Sequence, residues 1–471
     1  MKRRDFLKNT TLMSVASVLP SVANANVKKN EEKKSVNSLF PKIVRSGVET
    51  EFCMTLKDEK VLSTDFEVKV CAKNGVKFDK KTRVEWFEYD IFPRTVRDGK
   101  VYFKCTLHGS QEYTIYIKPK GETRWNVEHA SFNVYALKPE LYDLVPLKGE
   151  FHMHSTISDG RNSEREMILE CYKHGYDFAA LGDHKERCAW FGREAGDPRN
   201  IVYGYQKDFA EIIAKTKSTM NILTAEEVHL DMGVHFHNFG GSKGVIEWAY
   251  NNPKQYEVEI EKRKKKFKGM FSIASDVECM AIADLVFDKV KEFGGISVFN
   301  HPTWVFAGHR TMSDELARAL FLSKKCNAYE IANSNTIENM IALSWINDTI
   351  LERGSRHVFV GNSDAHQIKN VGLCYTIVFA KSSNFEDIKD AILNNRSLAV
   401  DNSQQKKLIM GSSSELVDYA YFLEREYFPT LKKIRTAESK VLKDIFNGKG
   451  NPKALQSFIV QKDDFCKQIK A

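Results

Sequence analysis

Glu150-Phe151-His152-Met153-His154-Ser155-Thr156-Ile157-Ser158-Asp159-Gly160 is the stretch around which the rest of the sequence arranges itself. In a strand, residues i and i+2 point to the same face, so the imidazoles of His152 and His154 aim at one point, as metal ligands do. Paired histidines also serve purely structural ends, and the residues downstream decide between the two. His, Asp and Glu recur at the ends of successive apolar runs, in Gly182-Asp183-His184, Ala225-Glu226-Glu227-Val228, His235-Phe236-His237, Asn300-His301-Pro302 and Asn362-Ser363-Asp364-Ala365-His366. Clusters placed that way indicate a polar site assembled at strand ends.

Outward from this stretch the rhythm is strand, helix, strand. Ser163-Glu164-Arg165-Glu166 is a capping box, Met167, Ile168, Cys171 and Tyr172 form an apolar stripe, and Gly175 ends the helix. Phe178 to Leu181 then reads as a buried strand that delivers Asp183 and His184 at its C-terminal end, where parallel α/β folds place their active sites. The pattern repeats through Ile222-Leu223, a helix over 279–293, Ile296 to Phe299, Tyr329 to Ile331, a helix over 340–353, Val358 to Val360, Tyr375 to Ala380 and a helix over 385–394. About seven short parallel strands ending near residue 400 predict an α/β barrel rather than an open sheet.

The flanks divide the remainder. Arg3-Arg4 followed by Phe6-Leu7-Lys8, a mildly apolar run to Leu19 and Ala23-Asn24-Ala25 have the order of a twin-arginine export signal over residues 1–25. The expectation is a periplasmic or secreted protein that meets the twin-arginine export machinery. A polar spacer follows over 26–40. Residues 41–145 read as a β-sandwich module, with β-branched and aromatic runs at 84–89 and 113–117 and Asp98-Gly99 as a hairpin turn. Residues 146–402 are the barrel, and 403–471 form a charged, Lys-rich helical segment with no chemistry of its own. No stretch beyond the signal has the ~18 apolar residues that a membrane span needs. The net charge of +8, of which the signal contributes +3, is too mild to demand a nucleic-acid partner. The run Lys262-Arg263-Lys264-Lys265-Lys266 reads as a solvated helix face. Nine cysteines without a CxxC pair predict small buried side chains rather than a zinc cage or an obligatory disulfide.

Taken together, His152-Met153-His154 with Ser155, Ser158 and Asp159-Gly160, then Gly-Asp-His, Glu-Val, His-Asn-Phe-Gly, Asn-His-Pro and Asn-Ser-Asp-Ala-His resemble the PHP (polymerase and histidinol phosphatase) family of metal-dependent phosphoesterases. The likeness spans residues 148–400 and implies a distorted (β/α)7 barrel holding two or three divalent cations, Mn, Fe or Zn, at its strand ends. By that resemblance His152, His154, Glu227 and Asp364 hold a first metal. Glu227 bridges to a second, held by His237 and His301, and Asp159, His184 and His366 hold a third. His235 is the alternative to His237, because the two share a face. Glu227 is chosen over Glu226, which should face the other way. Lys185, Arg187 and Arg310, with Arg193 and His309, fall just beyond the ligand motifs, where they would grip phosphate oxygens or protonate a leaving group. Paired cations lower the pKa of a shared water from 15.7 toward about 7, which supplies the nucleophile at neutral pH. The expected activity is hydrolysis of a small phosphodiester, as in the family's exported diesterase branch. The alternatives are a phosphomonoesterase or nuclease of the same family, and a non-catalytic metal-containing phosphate- or carbohydrate-binding protein.

Overall fold

The helix after the His152/His154 stretch forms as its sequence dictates. Ser163 accepts from the Glu166 backbone N–H while the Glu166 carboxylate accepts from that of Ser163, and Gly175, at φ 78°, closes the helix Glu164–His174. The chain returns so that Phe178–Ala179 runs parallel to Val145–Glu150, with Gly149 opposite Phe178, and Asn221–Ile222 joins the same edge in parallel. The computed structural model describes residues 37–73, 76–79, 84–124, 126–184, 218–230, 233–306, 308–334, 336–354 and 357–471.

The central domain is mixed α/β, and the expectation of uniformly parallel strands does not hold. One sheet runs Asn221–Ile222, Phe178–Ala179, Val145–Glu150, Cys374–Ala380, Ser397–Asp401, Leu408–Met410, and its last three junctions are antiparallel. The other runs Ala225–Val228, Phe236–Phe239, Ile296–Phe299, Ala328–Ala332, Phe359–Gly361, and here the first two junctions are antiparallel. Part of the reason is chain length. The connections 229–235 and 402–407 are too short for a crossover, which takes a dozen residues or more, so the strands they join must turn back on themselves. Leu408–Met410 also carries the sheet past residue 402, into the segment predicted as tail.

The two sheets are arcs around one interior. Phe151, Phe178 and Val378 from the first pack with Ala225, Phe239, Val298, Ala328 and Val360 from the second. The arcs meet on one side where Gly361 N–H donates to Thr376 Oγ1 at 3.0 Å, and on the other where Glu227 N–H donates to Gly182 O at 3.2 Å. Strand pairing does not run continuously around the circle among the described residues. Helices such as Ala274–Glu292, with Leu285, Val286 and Val290 buried, cover the outside.

In the N-terminal module two larger sheets share a core including Phe52, Met54, Val101 and Phe103 from one and Val68, Val70, Ile115, Ile117 and Val134 from the other, and Val76–Asp79 pairs with Val84–Phe87 as a separate two-stranded ribbon. Asp98 and Gly99 take φ 50° and 69° between the strands Arg94–Arg97 and Lys100–Thr106, as a two-residue hairpin turn requires. Pairing is not wholly antiparallel, since Ile43–Arg45 runs parallel to Ala130–Leu137. Ser38–Phe40, predicted as spacer, pairs with Glu49–Thr55.

The C-terminal helices Ser414–Glu426, Phe428–Phe446 and Gln456–Ile469 pack rather than float. Tyr419, Phe422, Leu423, Phe428 and Leu431 share a core with Met167, Ile168, Tyr172, Ile377 and Phe379 of the central domain. Arg425 also reaches Glu112 of the β module at 2.7 Å, and the Tyr419 ring lies 4.9 Å from that of Tyr135. The eight described cysteines are free, and no described helix is long and apolar enough to cross a membrane.

Candidate metal centre

Glu227 is the point on which the site converges. On the strand Ala225–Val228 adjacent side chains face opposite ways, and the structure separates the two glutamates accordingly. Glu226 turns outward, where it accepts from Asn238 Nδ2 at 2.8 Å, Val245 N–H at 2.5 Å and Ile246 N–H at 3.3 Å, capping the helix Val245–Asn251. Burial pushes its carboxyl up to about 7. Glu227 faces inward and is 2 % exposed. Its Oε1 lies 3.2 Å from His152 Nε2, 3.2 Å from His301 Nε2 and 3.3 Å from His235 Nδ1, and accepts from Asn300 Nδ2 at 2.8 Å. Its Oε2 lies 3.7 Å from His154 Nε2 and 2.8 Å from His229 Nε2.

Asp364 stands across from it, with Oδ1 3.2 Å from His152 Nε2 and 3.0 Å from His154 Nε2. Its φ of 51° is a left-handed conformation that residues other than Gly, Asn and Asp seldom adopt. Asp159 forms the third corner, with Oδ1 3.3 Å from His184 Nε2 and Oδ2 3.1 Å from His366 Nε2. Every ligand predicted for the first and third positions is thus brought into one cluster. Five groups of three donors lie within 4.8 Å of one another among the described residues: His152/His154/Asp364, His152/Glu227/His237, His154/Asp159/His366, His154/His184/Glu227 and Glu227/His229/His235.

For the second position the structure brings both candidates alongside Glu227. His237 lies directly opposite Glu227 in the sheet, fully buried, with neither ring nitrogen hydrogen-bonded. His235 lies nearer the strand end, its ring 5.1 Å from that of His301. His237 is held in place by Gly182, since a Cβ there would sit 2.2 Å from its Nε2. Gly182→Ala should therefore drive the ring out of position and lower stability by about 1–3 kcal/mol, the usual cost of overpacking a filled interior. Denaturant unfolding measures this, and an unchanged midpoint would mean the ring has room to spare.

The electrostatics fit cations. Burial opposes charge on His152, but Glu330, Asp364 and Glu227 together hold its pKa well above the ordinary imidazole range. Burial likewise opposes ionisation of Asp364, and His152 and His154 overcome it, holding its pKa well below the usual carboxylate value. His366 also resists its burial and rises to about 9 beside Asp159 and Asp364. Several imidazoles around the buried Glu227 and the partly buried Asp364 and Asp159, with nitrogens of His152, His184, His235 and His237 left without hydrogen-bond partners, form a donor set shaped for divalent metal and lacking thiolate.

Glu330 and His229 were not singled out in the sequence, and Asp183 was read only as part of the Gly182-Asp183-His184 cluster. Glu330, fully buried, takes His152 Nδ1 at 2.8 Å and Asn362 Nδ2 at 2.9 Å, which turns His152 Nε2 toward the centre. Asp183 accepts from Ser155 N–H, Ser155 Oγ and Ser158 Oγ at 2.5 to 2.7 Å, tying the turn that carries Asp159. His229 was legible as the residue two beyond Glu227 on the same face. Of the predicted anion-grippers, Lys185, Arg187 and Arg193 lie outside the described residues. His309 is exposed, and Arg310 turns to Asp314 at 3.0 Å and lies over the Trp345 ring rather than toward Glu227.

With this geometry in view, a PHP-associated family model matches residues 354–397, the segment that contains Asp364 and His366. The DNA polymerase/3'-5' exonuclease PolX of Bacillus subtilis (strain 168) is 26% identical over 271 residues, 56% of this chain and 42% of that protein. This chain therefore spans less than half the length of that relative. Among solved structures, a two-domain protein containing a predicted PHP-like metal-dependent phosphoesterase from Bacteroides vulgatus ATCC 8482 aligns at 21% identity and a TM-score of 0.37, over 55% of this chain and 65% of its own. PsfC from Pseudomonas syringae PB-5123 aligns at 13% identity and a TM-score of 0.31, over 61% of this chain and 99% of its own.

Proposed function

This chain is a PHP family protein, and from that premise we propose that it is an exported metal-dependent hydrolase of small phosphodiesters. The observation that supports this reading is the convergence of His152, His154, His235, His301 and His229 on Glu227, with Asp364 opposite. On the same reading the two arcs of strands are the family's distorted (β/α)7 barrel, and the N-terminal module is a β-sandwich docked beside it. Residues 1–25, outside the described structure, are read as the twin-arginine signal that sends the protein to the periplasm or beyond.

His152, His154, Asp159, His184, Glu227, His301, Asp364, His366 and His237 or His235 would hold two or three cations, Mn, Fe or Zn, whose bound chemistry would be activation of water and neutralisation of phosphoryl charge. The chain's part is to hold the donors in register and fix their tautomers. With a cation at the centre, Glu330 beside His152 Nδ1 at 2.8 Å would hold that ring's proton on Nδ1, and the Asp364 carbonyl beside His366 Nδ1 at 2.9 Å would do the same, so that Nε2 of each ring faces the centre. Hydrolysis on this plan requires no protein nucleophile.

Substrate class follows from exposure and charge. The His366 side chain is 37 % exposed while His152 is fully buried, which places the Asp159/His184/His366 corner at the mouth. A monoester near neutral pH carries up to two negative charges and a diester one, so the monoester gains more from a third cation there. His366→Ala should accordingly depress monoester turnover more than diester turnover, measured on a pair of esters with a common leaving group. Equal loss on both would remove the third metal as a determinant of ester class.

A nuclease reading has the PolX relative in its favour. The basic run 262–266 does not strengthen it, because Arg263 pairs with Glu259, Asp284 and Asp288, Lys264 with Glu261 and Glu278, and Lys266 with Asp284. The deciding experiment is metal analysis of the purified protein followed by turnover of paired mono- and diesters and of single-stranded DNA. Diester cleavage lost on chelation and restored by added metal is the expected result. Faster monoester or DNA cleavage would replace this substrate class, and bound metal without any turnover would favour a binding protein.

A further inference from the structure

The nine expected ligands leave His229, an imidazole in contact with Glu227, without a part to play. Glu227 and His229 are two apart where the strand Ala225–Val228 ends, so both side chains project into the centre. His229 Nε2 lies 2.8 Å from Glu227 Oε2, a separation at which two donors share one cation. Just before the neighbouring antiparallel strand Phe236–Phe239 stands His235, whose Nδ1 is 3.3 Å from Glu227 Oε1 yet is buried without a hydrogen-bond partner. The rings of His229 and His235 are stacked, with centroids 3.6 Å apart and planes 13° apart. His184 covers the other side of His229 at 4.2 Å.

Two imidazoles in face contact repel if both carry a proton, whereas neutral rings beside a carboxylate present lone pairs to a common point. Leu230, the next residue, has φ 40°, an unusual conformation for a γ-branched side chain, and the backbone there bends at once beyond His229. Donor atoms of Glu227, His229 and His235 all fall within 4.8 Å of one another.

We propose that Glu227, His229 and His235 form a metal site, with His229 a tenth ligand of the centre. The proposal rests on the metal-dependent reading above and adds to it. Two imidazoles and one carboxylate, with His301 Nε2 3.2 Å from the Glu227 oxygen that His235 approaches, make a nitrogen-rich set that suits Zn or Fe better than Mg or Ca. It would also give His235 a part, as the donor beside His229 on Glu227.

The test is cation binding by the full chain, independent of turnover. Protein stripped by chelation is titrated with Zn2+ in wild type, His229→Ala, His229→Gln and, as an exposed control, His309→Ala. Bound metal is counted by elemental analysis and folding is followed by circular dichroism. The expected result is two or more Zn2+ per wild-type and His309→Ala chain. Both His229 variants should lose one equivalent, or bind it more weakly by at least about tenfold, the lower end of what even an outer-shell partner contributes. The same count and affinity in either folded His229 variant as in wild type overturns the proposal. A wild type that binds no cation overturns the metal-dependent reading itself, which is a different failure.

Discussion

Glu227→Ala should strip the centre of cation and abolish turnover, while Glu226→Gln, one residue away, should keep its metal. Glu227 touches His152, His154, His229, His235 and His301, so its removal takes a donor from every position that it bridges. The loss should exceed the roughly 10–100-fold that removal of an outer-shell partner costs in affinity or activity. Glu226 instead satisfies Asn238 and two backbone N–H groups at a helix start. Glu226→Ala should therefore cost about 1–3 kcal/mol for each donor left without a partner, read by denaturant unfolding, with metal content intact in the folded protein. Equal metal loss from the two alanine variants would mean that the strand does not separate their faces.

Arg435→Ala should be the most damaging substitution outside the centre. Arg435 lies on the helix Phe428–Phe446, is 1 % exposed, and donates to Asp177 Oδ1 at 2.5 Å and Gly175 O at 2.8 Å. Asp177 in turn accepts from Lys148 N–H at 3.0 Å, beside the first strand of the central domain. Removing the guanidinium leaves the buried Asp177 carboxylate with Lys462, 3.8 Å away, as its remaining cationic partner, at a cost of about 3 kcal/mol, the lower end for a broken buried pair. Glu438, one turn on, holds Thr219 N–H at 3.1 Å and the Thr219 hydroxyl, so this helix fastens the chain entering Asn221–Ile222. Chemical denaturation of the full chain measures the effect. A loss under about 1 kcal/mol, the scale of an exposed pair, would show that the C-terminal helices lie against the domain without anchoring it.

What could be read without coordinates was local. His152 and His154 two apart, Glu226 and Glu227 with opposed faces, the Ser163/Glu166 box and the Asp98-Gly99 turn depend on backbone periodicity or on a few adjacent residues, and each is present as its spacing requires. Strand direction did not follow from spacing. A helix between two apolar runs suggests a parallel return, yet Cys374–Ala380 and Ser397–Asp401 run antiparallel around the helix Phe385–Leu393, because pairing depends on which edge is free when the chain comes back.

The sequence by itself determined the chemistry of the donor set, since residue type and i, i+2 spacing decide which atoms are offered to one face. Only the tertiary structure decided which of those atoms meet. Glu330 comes to His152 from 178 residues away and Asp364 to His154 from 210. The Lys-rich tail likewise became an anchor through Arg435 and Asp177, 258 residues apart. Contacts between such distant positions are set by how the whole chain buries its apolar faces, and no local pattern encodes them.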